Sequence, residues 1–211
     1  WEEAYATGLG TGIQTVAGTS GGSTIEYTPS MLPDGLTGRI AYSPDAGGSN
    51  AGDKGSSGQG TDVLGSGYDI TLQATDAITN VPGLTVYAGL AKMEQDSTAS
   101  TYSGDKEEET WAVSYAFGGF TVGYQYSKQD LGKSSGAQEY ENTGYGVTFQ
   151  VNDDLSVGYN NYESDQTNST SVTAEAESFQ VAYTVGGASI RIAEASVDNA
   201  KYQTLSSYDS D

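Results

Sequence analysis

Three charged residues of this chain stand alone in otherwise small or apolar stretches: Arg39 between Gly38 and Ile40, Arg191 between Ile190 and Ile192, and Glu26 between Ile25 and Tyr27. In an extended chain successive side chains point to opposite faces, so each of these charges is expected opposite its bulky neighbours. Catalysis is a poor use for them. The 211 residues include no histidine and no cysteine, which removes His-dependent triads, Cys-His pairs, thiolate metal sites, most zinc sites and any disulfide framework. A formal charge of -20, from 28 acidic against 8 basic residues, repels phosphate backbones and argues against a nucleic-acid partner. Divalent cations are better company. "GQGTDVL" at residues 58–64 matches the core of a calcium-binding nonapeptide repeat once, so a loop-bound divalent cation such as calcium is an expectation, although stacked copies normally build that site and none follows. The clusters "EEE" at 107–109 and "EAE" at 175–177 read as solvated loop ends, with divalent sites bridging lipid headgroup phosphates as the alternative.

The elements that must position these residues are strands. "YAFGGFTVGYQYS", residues 115–127, carries aromatic or branched residues at alternate positions around one glycine pair. A two-residue turn at Gly118 and Gly119 sets Phe117 opposite Phe120, Tyr115 opposite Val122, Val113 opposite Tyr124 and Trp111 opposite Tyr126 on one face. The other face pairs Ala116 with Thr121, Ser114 with Gly123 and Ala112 with Gln125. Ten such strands are expected, near 23–29, 35–43, 68–76, 84–94, 109–117, 120–129, 141–151, 155–164, 175–185 and 188–197; helical periodicity is nowhere sustained.

Connections alternate between short ("SMLPD", "AITNVPG", "GG", "NDD", "GG") and long, polar ones at 44–67, 95–108, 130–140 and 165–174. In an antiparallel meander this puts all short turns at one end and all long loops at the other, the layout of an outer-membrane barrel. The second face, with Gln150, Asn160, Gln180, Thr184 and Ser189, is too polar for a dry core. The expectation is an all-β, up-and-down transmembrane β-barrel, bulky residues towards lipid and small polar ones towards a wet lumen. Phe117, Phe120, Trp111, Tyr126, Tyr183 and Tyr145 are expected in interfacial aromatic girdles. Glu194 disagrees: the alternation puts it on the lipid face, so a bulge near Ala193 or burial against another subunit is expected there. No run of about 18 apolar residues offers a membrane helix, and no basic start followed by an apolar stretch offers a signal peptide, which implies a mature or trimmed chain if it is exported. The rival expectation is a soluble, acidic, glycine-rich secreted or surface β-protein that binds ligands or cations through its long loops.

"STIEYTPSMLPDGLTGRIAYSPD", "VPGLTVYAGLAKMEQDS", "WAVSYAFGGFTVGYQYS" and "GVTFQVNDDLSVGYNNYES" resemble, in order and spacing, the general porins of Gram-negative bacteria, above all the alphaproteobacterial type. The resemblance implies an outer-membrane homotrimer of sixteen-stranded barrels, in contact with membrane lipids and lipopolysaccharide, with no enzymatic activity. Small hydrophilic solutes and ions would pass by diffusion. It also implies that residues 1–22 are the remainder of an inward constriction loop, that 23–197 hold ten of the strands, the sixth to the fifteenth, and that 198–211 precede a missing last strand. In that family basic wall residues face acids on the constriction loop. Carried over, this assigns Arg39 and Arg191 to the wall, Glu2 and Glu3 to the loop, and Glu26 as a further inward carboxylate, beside Gln125, Gln180 and Asn160 as pore lining. The alternative for these charges is simple solvation in the lumen. A mild cation preference is expected if lumen acids outnumber the arginines.

Overall fold

The computed structural model describes residues 15–19, 23–44, 64–95 and 102–209. They form one antiparallel ten-stranded sheet in simple sequence order: β1 (Ile25–Tyr27), β2 (Leu36–Ser43), β3 (Leu64–Ala74), β4 (Leu84–Gln95), β5 (Lys106–Phe117), β6 (Phe120–Asp130), β7 (Glu139–Gln150), β8 (Leu155–Thr167), β9 (Val172–Val185) and β10 (Ala188–Asp198). All ten expected strands are present. Among the described residues β1 and β10 form no ladder with each other, so both edges of the sheet are open. The only α-helix among them is a single turn, α1 (Asp76–Thr79), which starts one residue before the "AITNVPG" connection and runs into it.

The turn chemistry sets the registers. Gly118 adopts φ +55° and Phe117 pairs with Phe120, while Gly186 and Gly187 adopt φ +57° and +83° between Val185 and Ala188. Gly83 is the tightest case. It holds φ +81°, its carbonyl accepts the Ala116 N–H at 2.9 Å, and a Cβ added there would stand 2.1 Å from the Ala116 carbonyl oxygen. Gly83→Ala is therefore expected to destabilise the protein by about 1–3 kcal/mol, seen as a lower urea midpoint in detergent. An unchanged midpoint would mean that the β4–β5 edge shifts freely.

Several strands run further towards the long loops than hydropathy indicates. β5 begins at Lys106 and β9 at Val172, so the acidic clusters at 107–109 and 175–177 lie inside strands and not in loop ends. The backbone ladder needs no apolar side chains, and opposite charges stitch the extension: Lys92 to Glu107 at 2.9 Å and Lys128 to Glu139 at 2.7 Å. One consequence is that the connection expected over 165–174 shrinks to residues 168–171, fewer than the 28–35 connection at the other end. The segregation of loop lengths thus fails at β8–β9.

The two faces differ throughout. One carries large apolar residues that are open to the surroundings, such as Ile192 at 66% and Phe179 at 50% exposure. The small buried apolar clusters all lie on the opposite face towards the long-loop end: Tyr140, Tyr162, Ala174 and Tyr202; Ala176, Val197 and Ala200; Ala91 and Met93. Among the described residues no central core joins them. Residues 15–19 and 199–209 both cover this second face, which makes it the inner one.

Following the last large apolar residue on the outer face of each strand from β2 to β10 gives Tyr42, Tyr68, Leu90, Trp111, Tyr126, Tyr145, Tyr159, Phe179 and Ile192. Three neighbours in this row are directly paired, Tyr42 with Tyr68, Trp111 with Tyr126 and Tyr159 with Phe179. At the other five steps the row drops two residues towards the short turns, for example from Phe179, which pairs with Glu194, to Ile192. Ten residues in eight steps, at ~3.3 Å per residue and ~4.8 Å per strand, is a strand tilt of about 40°, within the range of transmembrane barrels. The slope also accounts for Glu194. The β10 register is continuous, without the expected bulge, and Glu194 stands one place above the row, level with the charged residues Glu177 and Glu109 that follow Phe179 and Trp111.

Candidate functional site: the inner face of the sheet

The inner face is charged on one side and uncharged on the other. On β1 to β5 it carries Glu26, Arg39, Asp69, Lys106 and Glu108. On β6 to β9 every inward position is uncharged, Gly, Ala, Ser, Thr, Asn, Gln or Tyr apart from Val172 at the start of β9, and charge returns with Arg191 on β10.

The charged side holds an internal segment. The Ala17 and Gly18 N–H groups donate to Glu108 Oε2 at 2.9 and 2.8 Å. Glu108 Oε1 accepts from Lys106 Nζ at 2.8 Å and from Gln129 Nε2 at 2.7 Å, and the residue is only 4% exposed. One position along, the Thr19 N–H and hydroxyl both donate to Asp69 Oδ2, at 2.8 and 2.5 Å. Glycines make this approach possible. A Cβ on Gly67 would come within 2.8 Å of Thr19 Cγ2, and Gly18 uses φ +73° to turn its N–H towards the wall. Two carboxylates therefore fasten the segment to β3 and β5 through backbone donors, charge-assisted bonds roughly twice as strong as neutral ones. Between the segment and the wall lies a cavity of about 540 Å³ that includes Thr24, Glu26, Arg39, Thr71 and Thr110.

Arg39 and Glu26 point inward as expected and form a 3.4 Å pair in which both side chains are about half exposed. Such a pair contributes little to stability, ~0–1 kcal/mol. It leaves two solvated charges of opposite sign beside the cavity. Arg191 is inward and exposed on β10, eight strands away from Arg39, so the sheet does not bring the two arginines together. Gln125, Asn160 and Gln180 are inward on the uncharged side, with Gln180 Nε2 donating to Ser178 Oγ at 3.3 Å. Glu2, Glu3 and most of the 58–64 segment lie outside the described residues. Among the described residues no three Asp or Glu side chains come together as a metal site.

Hydropathy missed Asp69, Lys106, Glu108, Gln129 and Thr19. Asp69 was open to discovery, because it stands between Tyr68 and Ile70 just as Glu26 stands between Ile25 and Tyr27. Glu108 was hidden in its triplet, where alternation sends Glu107 and Glu109 outward and only Glu108 in.

On the outer face Phe117, Phe120 and Phe149 stack at the short-turn end, with ring centroids 5.6 and 4.3 Å apart. Tyr183 stands near the same end on β9. Trp111 lies 6.1 Å from Tyr126, and Tyr145 is 6.5 Å from Tyr159. These belong to the slanted row and stand well inside their strands, not at strand ends, because the ladders continue past them.

Comparison with known proteins agrees with this architecture. The anion-selective porin from Comamonas acidovorans superposes with a TM-score of 0.62 at 14% identity, covering 83% of this chain and 48% of that one. Salmonella typhi OmpF, in complex with daunomycin, gives 0.63 at 13% identity, with 89% and 58% coverage. Outer-membrane expressed OmpT of Vibrio cholerae gives 0.58 at 15%, with 83% and 54%. At such identities the likeness is one of fold, and this chain spans about half the length of the structures it matches. No curated protein sequence gives a significant match. The profile of the Gram-negative porins matches residues 2–202, nearly the whole sequence, and the chain belongs to that family.

Proposed function

We propose that the full-length protein is a general diffusion porin of a Gram-negative outer membrane, passing small hydrophilic solutes and ions through a wet barrel without chemical transformation. The observation that carries this reading is the sorting of the faces: an open band of large apolar residues outside, and a glycine-rich, hydroxyl- and amide-bearing wall inside, on strands tilted by about 40°. The same band argues against the soluble alternative, because a contiguous apolar surface of this size does not face water. Sixteen strands, of which these are the sixth to the fifteenth, and a homotrimer surrounded by lipopolysaccharide complete the reading. The open edges at β1 and β10 are consistent with further strands on both sides. In this reading residues 15–19 are the docked end of the inward loop, and the slanted aromatic row is the girdle at the headgroup level.

Charge preference is expected to be weak. Along the described strands three inward acids, Glu26, Asp69 and Glu108, meet three inward bases, Arg39, Lys106 and Arg191. Two of the acids are also occupied by the docked segment. The full-length protein in planar bilayers should therefore give ohmic channels whose reversal potential in a KCl gradient lies near zero, with K⁺ and Cl⁻ permeabilities within roughly threefold of each other. Absence of channels in bilayers and of solute flux in liposomes would overturn the porin reading.

A further inference from the structure

The segment after β10 does not leave the sheet as an exposed loop. It turns inward over β7 to β10 at their long-loop ends. Ala200 is fully buried against Ala176 and Val197, and Tyr202, 7% exposed, packs its ring 5.3 Å from that of Tyr140. The Tyr202 hydroxyl reaches Ser164 Oγ at 2.7 Å. Ser164 in turn bonds Asn142 Oδ1, and Asn142 Nδ2 donates to Ser127 Oγ at 3.1 Å, so a buried chain of polar groups runs from the segment through β8 and β7 into β6. Asn199 closes the fold, with Nδ2 on the Thr173 carbonyl at 3.0 Å and its N–H on Asp209 Oδ1 at 2.9 Å.

Two features separate this from a loop resting on a surface. Beneath Ala200 the wall is apolar and small, Ala176 and Val197, where inward positions elsewhere on the uncharged side carry Thr148, Gln125 and Gln180. Small side chains allow a backbone to approach closely, which an open, wet mouth does not need. The backbone of the segment is also held away from its preferred conformations: Asn199, Lys201 and Tyr202 adopt φ +51°, +58° and +58°. A lysine and a tyrosine keep such angles only where their surroundings over-determine them.

Resting on the porin reading above, we propose that residues 199–209 are a second, fixed restriction of the pore, fastened by Tyr202, which sets the size of solute admitted at the long-loop mouth. It faces the restriction at 15–19 from a different part of the wall: one covers β3 to β5, the other β7 to β10. The route left between them on this wall runs over β6 and its neighbours, where Gly123, Gly144 and Gly146 carry no side chains and Thr121, Gln125 and Thr148 offer neutral hydrogen-bonding groups. Uncharged polar solutes of limited width suit that route.

The test uses the full-length porin in planar bilayers and in liposome swelling with sugars of increasing size. Tyr202→Ala, and separately three glycines in place of residues 200–202, should raise single-channel conductance at least about 1.5-fold and admit larger sugars. Trypsin cleavage after Lys201 should quicken in Tyr202→Ala, which keeps that lysine, reporting that the segment has come away. Because the chain has no native cysteine, Ala176→Cys with Ala200→Cys can lock the segment down. Oxidation of that pair should leave conductance at the wild-type value, and a fall on oxidation would show that the native segment spends its time elsewhere. Unchanged conductance and sugar cut-off in both release variants would overturn the proposal while leaving the porin reading intact. A wild-type protein that forms no channel would instead remove the porin reading.

Discussion

Glu108→Ala in the full-length porin is expected to cost about 3–5 kcal/mol and to detach residues 15–19 from the wall, the largest single effect of any inner-face substitution. The magnitude follows from what surrounds the carboxylate. Glu108 is nearly inaccessible, and its two oxygens accept from Lys106, Gln129 and the backbone of Ala17 and Gly18. Its removal takes the carboxylate from a cation whose side chain is 7% exposed, and it strips the part-buried Ala17 and Gly18 N–H groups of their acceptor, a smaller loss because water can reach them. Replacing both partners, Glu108→Leu with Lys106→Met, should recover most of the stability, because no buried charge is left behind. It should not recover the docking of Ala17 and Gly18. Urea denaturation in detergent separates stability from docking, and open-channel noise in bilayers reports the docking. Glu107→Ala is the internal comparison. Its salt bridge to Lys92, 2.9 Å against 2.8 Å for Lys106 and Glu108, lies on the exposed outer face, so the loss should stay below about 1 kcal/mol. Equal losses at Glu107 and Glu108 would show that the buried hub has no special weight.

Arginine at position 122 should separate the two faces as sharply. Val122 stands mid-band on the outer face, paired with Tyr115 and Val147 and flanked on its own strand by Phe120 and Tyr124. Val122→Arg is expected to destabilise the protein in lipid vesicles by about 2–4 kcal/mol, the cost of a cation near the bilayer midplane. Thr121, the next residue along, faces inward beside Ala116 and Thr148. Thr121→Arg should fold within about 1 kcal/mol of wild type, since its charge reaches water. It should also lower conductance by narrowing the route over β6. The measurement is the folding equilibrium in vesicles against urea for both variants. If Thr121→Arg proved the costlier of the two, the assignment of lipid and lumen faces would be inverted.

Alternation alone determined which side each residue takes. Because the side-chain period of a strand is two, the pattern Trp111, Val113, Tyr115, Phe117 fixed the outer face of β5, and the glycine pair at 118–119 fixed its register with β6. Arg39, Arg191, Glu26, Gln125, Asn160 and Gln180 could be placed inward for the same reason. Strand ends were less legible. Hydropathy marks where apolar residues stop, and the ladders continue beyond that point, on paired charges at β5 and on polar contacts such as Thr173 with Asp165 between β8 and β9.

Tertiary structure decided what depends on neighbouring strands and on distant segments. The apparent misfit of Glu194 was a matter of depth: the slant of the sheet lowers the edge of the apolar band by two residues between Phe179 and Ile192, and no single strand contains that information. The role of Glu108 required the amides of Ala17 and Gly18, some 90 residues away in the chain. The fastening of Tyr202 to Ser164 and Tyr140 likewise joins segments whose separation leaves no local trace. Periodicity is a property of one strand and survives in the sequence, whereas tilt, loop docking and burial of charge arise only when strands and loops meet.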